Sequence, residues 1–199
     1  EMKTDISAQA KGDSLLHHLL SASPRFAAII QNLEEHRVQI IYTQIDRNNN
    51  NKPTFTHHYF GVDSHTYFYP ASTVKLPVAI LALQKLNELK IPGLDKNTTM
   101  ITEAGFEKQT VVYNDPESPD GRPSVANYIK KILLVSDNDA YNRLYEFLGQ
   151  EYINNTLHAM GYDSAQIIHR LNIPLTEEQN RYTNLVNFLD ASGKIIYQK

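Results

Sequence analysis

The stretch YPASTVKLPVAILAL, residues 69–83, sets a serine and a lysine three positions apart at the head of an apolar run. On a helix, positions i and i+3 lie on one face, so the Ser72 hydroxyl and the Lys75 amine can meet. A serine at a helix N-terminus also sits in the positive end of the macrodipole. An amine held in a partly dry pocket loses proton affinity and can take the proton of a neighbouring hydroxyl. The pair therefore reads as a Ser–Lys nucleophile. A chain this long shows roughly one S-x-x-K by chance, so the spacing alone equally fits a serine cap followed by a solvated lysine.

A second polar cluster, Ser136-Asp137-Asn138, interrupts the apolar segments KILLV and AYNRLYEFL, 64 residues after Ser72. All three residue types cap helices well. The same three could also form a second wall of a site, with a hydroxyl to relay protons and an amide to hold a substrate carbonyl.

The elements that must position these groups follow from the pattern. Residues 14–35 read as helix, interrupted at Ser23-Pro24, where serine suits an N-cap and proline the first helical position. RVQIIYTQID (37–46) and TFTHHYFGV (54–62) read as strands joined by the turn RNNNNKP into a hairpin. The spacing of Val74, Val78, Leu81, Leu83 and Leu86 predicts a helix from Thr73 to about Leu89. Residues 98–123 are rich in turn formers. Ser124 caps VANYIKKILLV, a helix follows the Ser136–Asn138 break, and QEYINNTLHAMG adds another that Gly161 ends. The tail, 162–199, reads as loop with one apolar helical patch, NLVNFL. Two strands make a marginal sheet, so the hairpin is expected to need further strands.

S-x-x-K opening an apolar helix and S-D-N after a second helix together resemble class A β-lactamases and penicillin-binding proteins. FYPASTVKLPV is similar to that family's nucleophile segment. VYNDPESPDGRPSVANYIKKILLVSDNDAYNRLYEFLG is similar to the approach to and exit from its S-D-N loop. The resemblance covers about residues 14–172. It implies an α/β fold of the β-lactamase/DD-peptidase type, an α/β layer with an inserted all-helical lobe. Residues 1–71 would supply the N-terminal helix and hairpin, and residues 72–199 the helical lobe. It further implies that Ser72 is the acylated nucleophile and Lys75 its activator. Ser136 would pass the proton to the leaving nitrogen, Asn138 would bind the substrate amide, and Tyr113 would stand at the pocket edge. Tyr113 reads equally as an ordinary surface tyrosine, one of 12.

Two parts of the family pattern are missing. No Lys-Thr-Gly or Lys-Ser-Gly triplet occurs, and ASGK (191–194) is only a reversed near miss. The final strands are therefore expected to lie outside this chain, which would be the N-terminal portion of a longer protein or a cleaved one. The carboxylate that drives deacylation in class A enzymes falls at Asn172 or Leu175, neither an acid. Glu177 and Glu178 are the nearest carboxylates, with Glu177 the candidate base, although both also suit an exposed helix start.

Composition excludes several classes. With 41% hydrophobic and 21% charged residues the profile is that of a soluble globular chain. A net charge of −3 offers no basic field for nucleic acid. The apolar run Pro77–Leu83 is too short to span a bilayer, and no signal peptide is visible. The absence of cysteine removes thiolate chemistry and disulfides. His57-His58 on a strand point to opposite faces, and His17-His18 on a helix diverge, so neither pair shares a metal. No cofactor is implied. The expected partner is a β-lactam or a peptidoglycan peptide in an extracytoplasmic compartment. The expected activity is acyl-enzyme hydrolysis through Ser72, with a D-Ala-D-Ala-type peptidase and a non-catalytic binding protein as alternatives. The hairpin's open edge is expected to pair with another segment or chain.

Overall fold

β-Branched and aromatic residues dominate 40–60, and they form the antiparallel hairpin that this content favours. β1 (Ile40–Arg47) pairs with β2 (Pro53–Phe60), with Ile40 opposite Phe60 and Arg47 opposite Pro53. In the connecting turn the Asn48 side chain accepts from the Asn50 and Lys52 N–H groups, and Asn51 takes a left-handed φ of 60° that asparagine tolerates. The computed structural model describes residues 13–63 and 65–199. The chain divides into two compact units, with the boundary between Tyr69 and Pro70.

In the first unit, α1 (Ser14–Ser21) is capped by Asp13, whose Oδ1 accepts from Leu15 N at 2.8 Å. Asp13 N–H donates to Tyr59 O at 2.8 Å, and its Oδ2 lies 2.6 Å from His58 Nδ1, which fastens the start of α1 to β2. A 3₁₀ turn, Pro24–Phe26, and two short helices, α2 (Ala27–Gln31) and α3 (Leu33–His36), lead to the hairpin. Ser23 makes no side-chain cap bond there.

The second unit opens with a 3₁₀ turn, Ala71–Val74, that runs into α4 (Lys75–Leu89). Three helices follow the intervening loop: α5 (Val125–Val135), α6 (Asn138–Leu148) and α7 (Gln150–Ala159). The short α8 (Glu177–Arg181) carries a capping box between Thr176 and Gln179. Every residue of α6 from Ala140 to Leu148 is buried, so this helix is the axis of the unit. Val78, Leu81 and Ala82 of α4 and Tyr128 and Ile132 of α5 pack with it in one core.

The tail departs from the expectation of loop and helical patch. LVNFL is a strand, β4 (Leu185–Leu189), and β5 (Ile195–Gln198) returns beside it. β4 is the central strand of a three-stranded antiparallel sheet, between β3 (Thr99–Glu103) and β5. The second unit is therefore not purely helical. Alternation decides the matter: Val186 and Phe188 face the core, where Phe188 meets Phe147 edge to face at 5.1 Å. Asn187 faces the other way, and its amide donates to Glu103 Oε1 and accepts from Gln198 Nε2. ASGK is the β4–β5 turn, braced by Asp190 and passing through Gly193 at φ 84°. No helix among the described residues is long and apolar enough to cross a membrane.

Candidate active site

Why a lysine stands at the head of a buried helix is answered by helical phase. Lys75, Val78 (and Ala79), Ala82 and Leu86 form one stripe at i, i+3/i+4, i+7 and i+11, and all are buried. Lys75 is the polar tip of the core-facing stripe and only 3% exposed. Its amine must therefore be satisfied inside the unit, and the α5–α6 turn satisfies it.

That turn has an unusual backbone. α5 ends at Ser136 in the left-handed region, φ 55°, with Ser136 N–H donating to Ile132 O at 3.0 Å, the αL form of C-cap. Asp137 N-caps α6, its Oδ1 accepting from Ala140 N at 2.8 Å. Asn138 is the first residue of α6. The backbone thus reverses within one residue. Ser136 and Asn138 both send their side chains to Lys75.

Around Lys75 Nζ stand Asn138 Oδ1 at 2.7 Å, Ser136 Oγ at 3.0 Å, Ser72 Oγ at 3.1 Å, and the Ser136 backbone oxygen in a short contact. The two nearest partners are carbonyl-type oxygens, which only accept. The two hydroxyls are the farther ones, and a hydroxyl can donate. A neutral lysine has two N–H groups and one lone pair. The two obligate acceptors use the N–H groups, which leaves the lone pair for a hydroxyl proton. Burial pulls the Lys75 pKa below its ordinary value, while the Asp137 charge pushes it back up.

Ser72 lies on the 3₁₀ turn, one turn ahead of Lys75, and Ala71 before it has a left-handed φ of 46°. A non-glycine residue there is uncommon and is retained where the surrounding structure over-determines it. Left-handed residues thus stand at both hydroxyls of the cluster.

A model of the beta-lactamase enzyme family matches residues 22–192, well over half of the chain. The chain belongs to the beta-lactamase enzyme family. No curated protein matches it. The family match supports a β-lactamase-type serine hydrolase at family level.

Of the six residues singled out by sequence, the β-lactamase-family fold brings four together: Ser72, Lys75, Ser136 and Asn138. Tyr113 is 58% exposed, and no hydrogen bond among the described residues ties it to the cluster. Glu177 pairs with Arg181 one turn along α8 at 2.7 Å, both side chains exposed, and no bond joins it to Lys75 or Ser72.

Sequence reasoning missed what fixes the loop after α7. The Asn142 amide clamps the Leu171 backbone twice, accepting from its N–H at 2.8 Å and donating to its carbonyl at 2.9 Å. Arg170 donates to Glu146 Oε1 at 3.0 Å and to Tyr182 O at 2.8 Å, and its own N–H reaches Asn180 Oδ1. The signal was present in the sequence: Asn138, Asn142 and Glu146 recur every fourth position on a helix otherwise apolar on that face. In the clamped loop Leu171 is buried and Asn172 is exposed with φ 57°. Neither Leu171, Asn172 nor Leu175 can act as a general base.

Proposed function

We propose that this chain carries the nucleophile and proton-transfer groups of a serine hydrolase that opens β-lactams through a Ser72 acyl-enzyme. The observation that supports this most is Lys75, a buried amine within hydrogen-bond reach of both hydroxyls and of the Asn138 amide. In the first step Ser72 Oγ attacks the lactam carbonyl carbon and its proton passes to the Lys75 lone pair. Collapse of the tetrahedral adduct breaks the C–N bond. The Lys75 proton then travels through Ser136 Oγ to the departing nitrogen. Asn138 is placed to donate from Nδ2 to a substrate carbonyl, since its Oδ1 is already held by Lys75. The arrangement follows the general triad logic of nucleophile, base and orienting group.

Release of the acyl group needs a water held by a base, and the loop positions clamped against α6 carry none. Loss of a general base typically slows a step by about 10²–10⁴-fold. The acyl-enzyme therefore accumulates, which favours a penicillin-binding, D-Ala-D-Ala-peptidase-like enzyme over a fast β-lactamase. A non-catalytic binding protein would have no need for a buried amine between two hydroxyls. These substrates place the protein outside the cytoplasm, and the fold reading is the β-lactamase/DD-peptidase one, with α4–α7 as the helical lobe.

The test is intact-mass spectrometry of the protein with a penicillin, alongside product release. We expect one drug-sized adduct per chain, a burst of one equivalent, and no adduct in Ser72→Ala. Absence of any adduct with penicillins and cephalosporins overturns the reading. Rapid linear turnover lost on Glu177→Gln would make Glu177 the deacylating base and the protein a competent β-lactamase.

A further inference from the structure

The end of α6 away from Asn138 is closed by two lysines. Lys85 of α4 donates to the Phe147 and Leu148 carbonyls at 3.1 and 3.3 Å, and Lys199, the residue after β5, donates to the Glu146 carbonyl in a short contact. The last carbonyls of a helix have no partner within it, and cations are favoured there. The two amines are otherwise in different settings. Lys85 Nζ lies over the rings of Phe147 at 5.1 Å and Tyr152 at 4.8 Å, which cover it and favour its charged form. Lys199 is fixed by two backbone hydrogen bonds to Val186 of β4, at 2.9 and 3.1 Å, and its Nζ has Thr183 Oγ1 at 2.6 Å as a second oxygen.

On its other side Lys199 meets a residue without a side chain. A Cβ on Gly149, which has φ 80°, would stand 3.2 Å from Lys199 Nζ. Gly149, Thr183 and Lys199 line a cleft of about 660 Å³, together with Glu151 and Tyr152 of α7 and Arg181 of α8. The amine is thus held by two oxygens and left uncovered where the glycine opens the cleft. When it is neutral, those oxygens take its two N–H groups and the lone pair remains. Burial first, then the Lys85 charge, pull its pKa from 10.5 to about 8; Glu146 opposes this and Arg170 adds to it, so about a tenth of the amine is neutral near pH 7. Arg181 gives Nη2 to Glu177 at 2.7 Å and no other side-chain bond among the described residues, so the rest of its guanidinium can serve a ligand in the cleft.

We propose that Lys199 is a carbonyl-capturing amine, and that small aldehydes and 2-oxo acids bearing an anionic group enter this cleft and form an imine with its Nζ. The lone pair attacks the carbonyl carbon and a C–N bond forms. The two amine hydrogens leave with the carbonyl oxygen as water, and the resulting C=N nitrogen takes one proton from solvent. That proton still serves the Glu146 carbonyl, so the helix end keeps a donor. Arg181 holds the ligand's carboxylate or phosphate. The site lies at the far end of α6 from the Ser72–Lys75 cluster, about 15 Å of helix away, and does not depend on acyl transfer.

The probes are glyoxylate, an aldehyde with a carboxylate, and acetaldehyde, which has none. The intact protein is treated with each near neutral pH in the presence of cyanoborohydride, which reduces the imine to a stable amine, and labelled lysines are located by peptide mass mapping. With glyoxylate, Lys199 is expected to react at least about tenfold faster than the exposed Lys52, Lys90 and Lys96, and Lys85 no faster than they do. Arg181→Gln should slow glyoxylate labelling of Lys199 about three- to tenfold and leave acetaldehyde labelling within about twofold. Lys199 reacting no faster than the exposed lysines, Lys85 reacting as fast as Lys199, or Arg181→Gln slowing both probes alike overturns the proposal. Each of these results leaves the acyl-transfer reading intact, because that reading is scored on the Ser72 adduct.

Discussion

Replacing Lys75 by methionine separates a proton carrier from a structural peg. Methionine keeps the unbranched stem and the helix propensity, and it removes the charge and the donors. Four oxygens lose a partner: Ser72 Oγ, Ser136 Oγ, Ser136 O and Asn138 Oδ1. In its resting charged form the amine has three N–H groups to share among these four oxygens, and hydrogen bonds to a charged donor contribute about 1.5–3 kcal/mol each, so the loss on this side is several kcal/mol. Against it stands the several-kcal/mol cost of burying an ammonium group at 3% exposure, which the substitution abolishes. Ser72 and Ser136 are both exposed residues, so their hydroxyls can turn to water. The two sides offset, and the net change in stability is expected to stay within about 2 kcal/mol. Acylation has no such compensation. Loss of the base should slow it about 10²–10⁴-fold, equivalent to about 3–5 kcal/mol of barrier. The assay pairs adduct formation by intact mass with urea unfolding of the same samples. Wild-type acylation rates in a folded Lys75→Met protein would refute the role of Lys75. A loss of stability above about 4 kcal/mol, with acylation tracking the folded fraction, would show that the lysine only ties α4 to the α5–α6 turn.

Three further outcomes are expected. Because burial depresses Lys75 and Asp137 opposes that depression, the acylation rate should rise with pH and level off below the ordinary lysine range; Asp137→Asn, which keeps the α6 cap, should move that limb to lower pH, and an upward move counts against the assignment. Lys199, pulled from 10.5 to about 8 mainly by burial and then by the Lys85 charge, is charged in the fold below pH 8 at a cost of about 3 kcal/mol. Above pH 8 the unfolded chain binds more protons than the folded one, so urea-derived stability should climb from pH 8 to about 9.5 and climb less in Lys199→Met; a flat profile, or an identical one in the variant, contradicts this. Ser136→Gly should be about 1–2 kcal/mol more stable than Ser136→Ala, because both lack the hydroxyl and only glycine adopts φ 55° freely, while both acylate slowly; equal urea midpoints would mean that the turn carries no such strain.

The fold was legible where one periodicity ran long enough to be unambiguous. The α4, α5, α6 and α7 segments and the 40–60 hairpin were read within a few residues of where they form. LVNFL was misread because five residues with apolar groups at 185, 186, 188 and 189 fit a helical stripe and a strand equally well, and length could not arbitrate. What decides it is non-local. Thr99–Glu103 must lie opposite Leu189–Leu185, and that pairing spans more than eighty residues of sequence. Asn187 then looks out of place only in a helix; in the sheet it bridges Glu103 and Gln198. Thr99–Glu103 was hidden for a related reason, a short alternating run set among turn formers.

At the site, the two readings of Ser136-Asp137-Asn138, helix caps or a reactive wall, turn out not to compete. Capping is done by the backbone of Ser136 and the side chain of Asp137, which leaves the Ser136 hydroxyl and the Asn138 amide free of any capping task. A left-handed serine is needed for that division. With ordinary helical geometry at Ser136, α5 would continue, and the hydroxyl would turn away from Lys75 with the helix. The same division holds at the nucleophile, where the left-handed residue is Ala71 and Ser72 makes no cap bond. Each strained residue costs about 1–2 kcal/mol of stability. Left-handed C-caps also end α3 at Arg37 and α4 at Lys90, so the conformation at Ser136 is an ordinary helix stop; what sets Ser136 apart is that its hydroxyl and its carbonyl both reach the one buried amine.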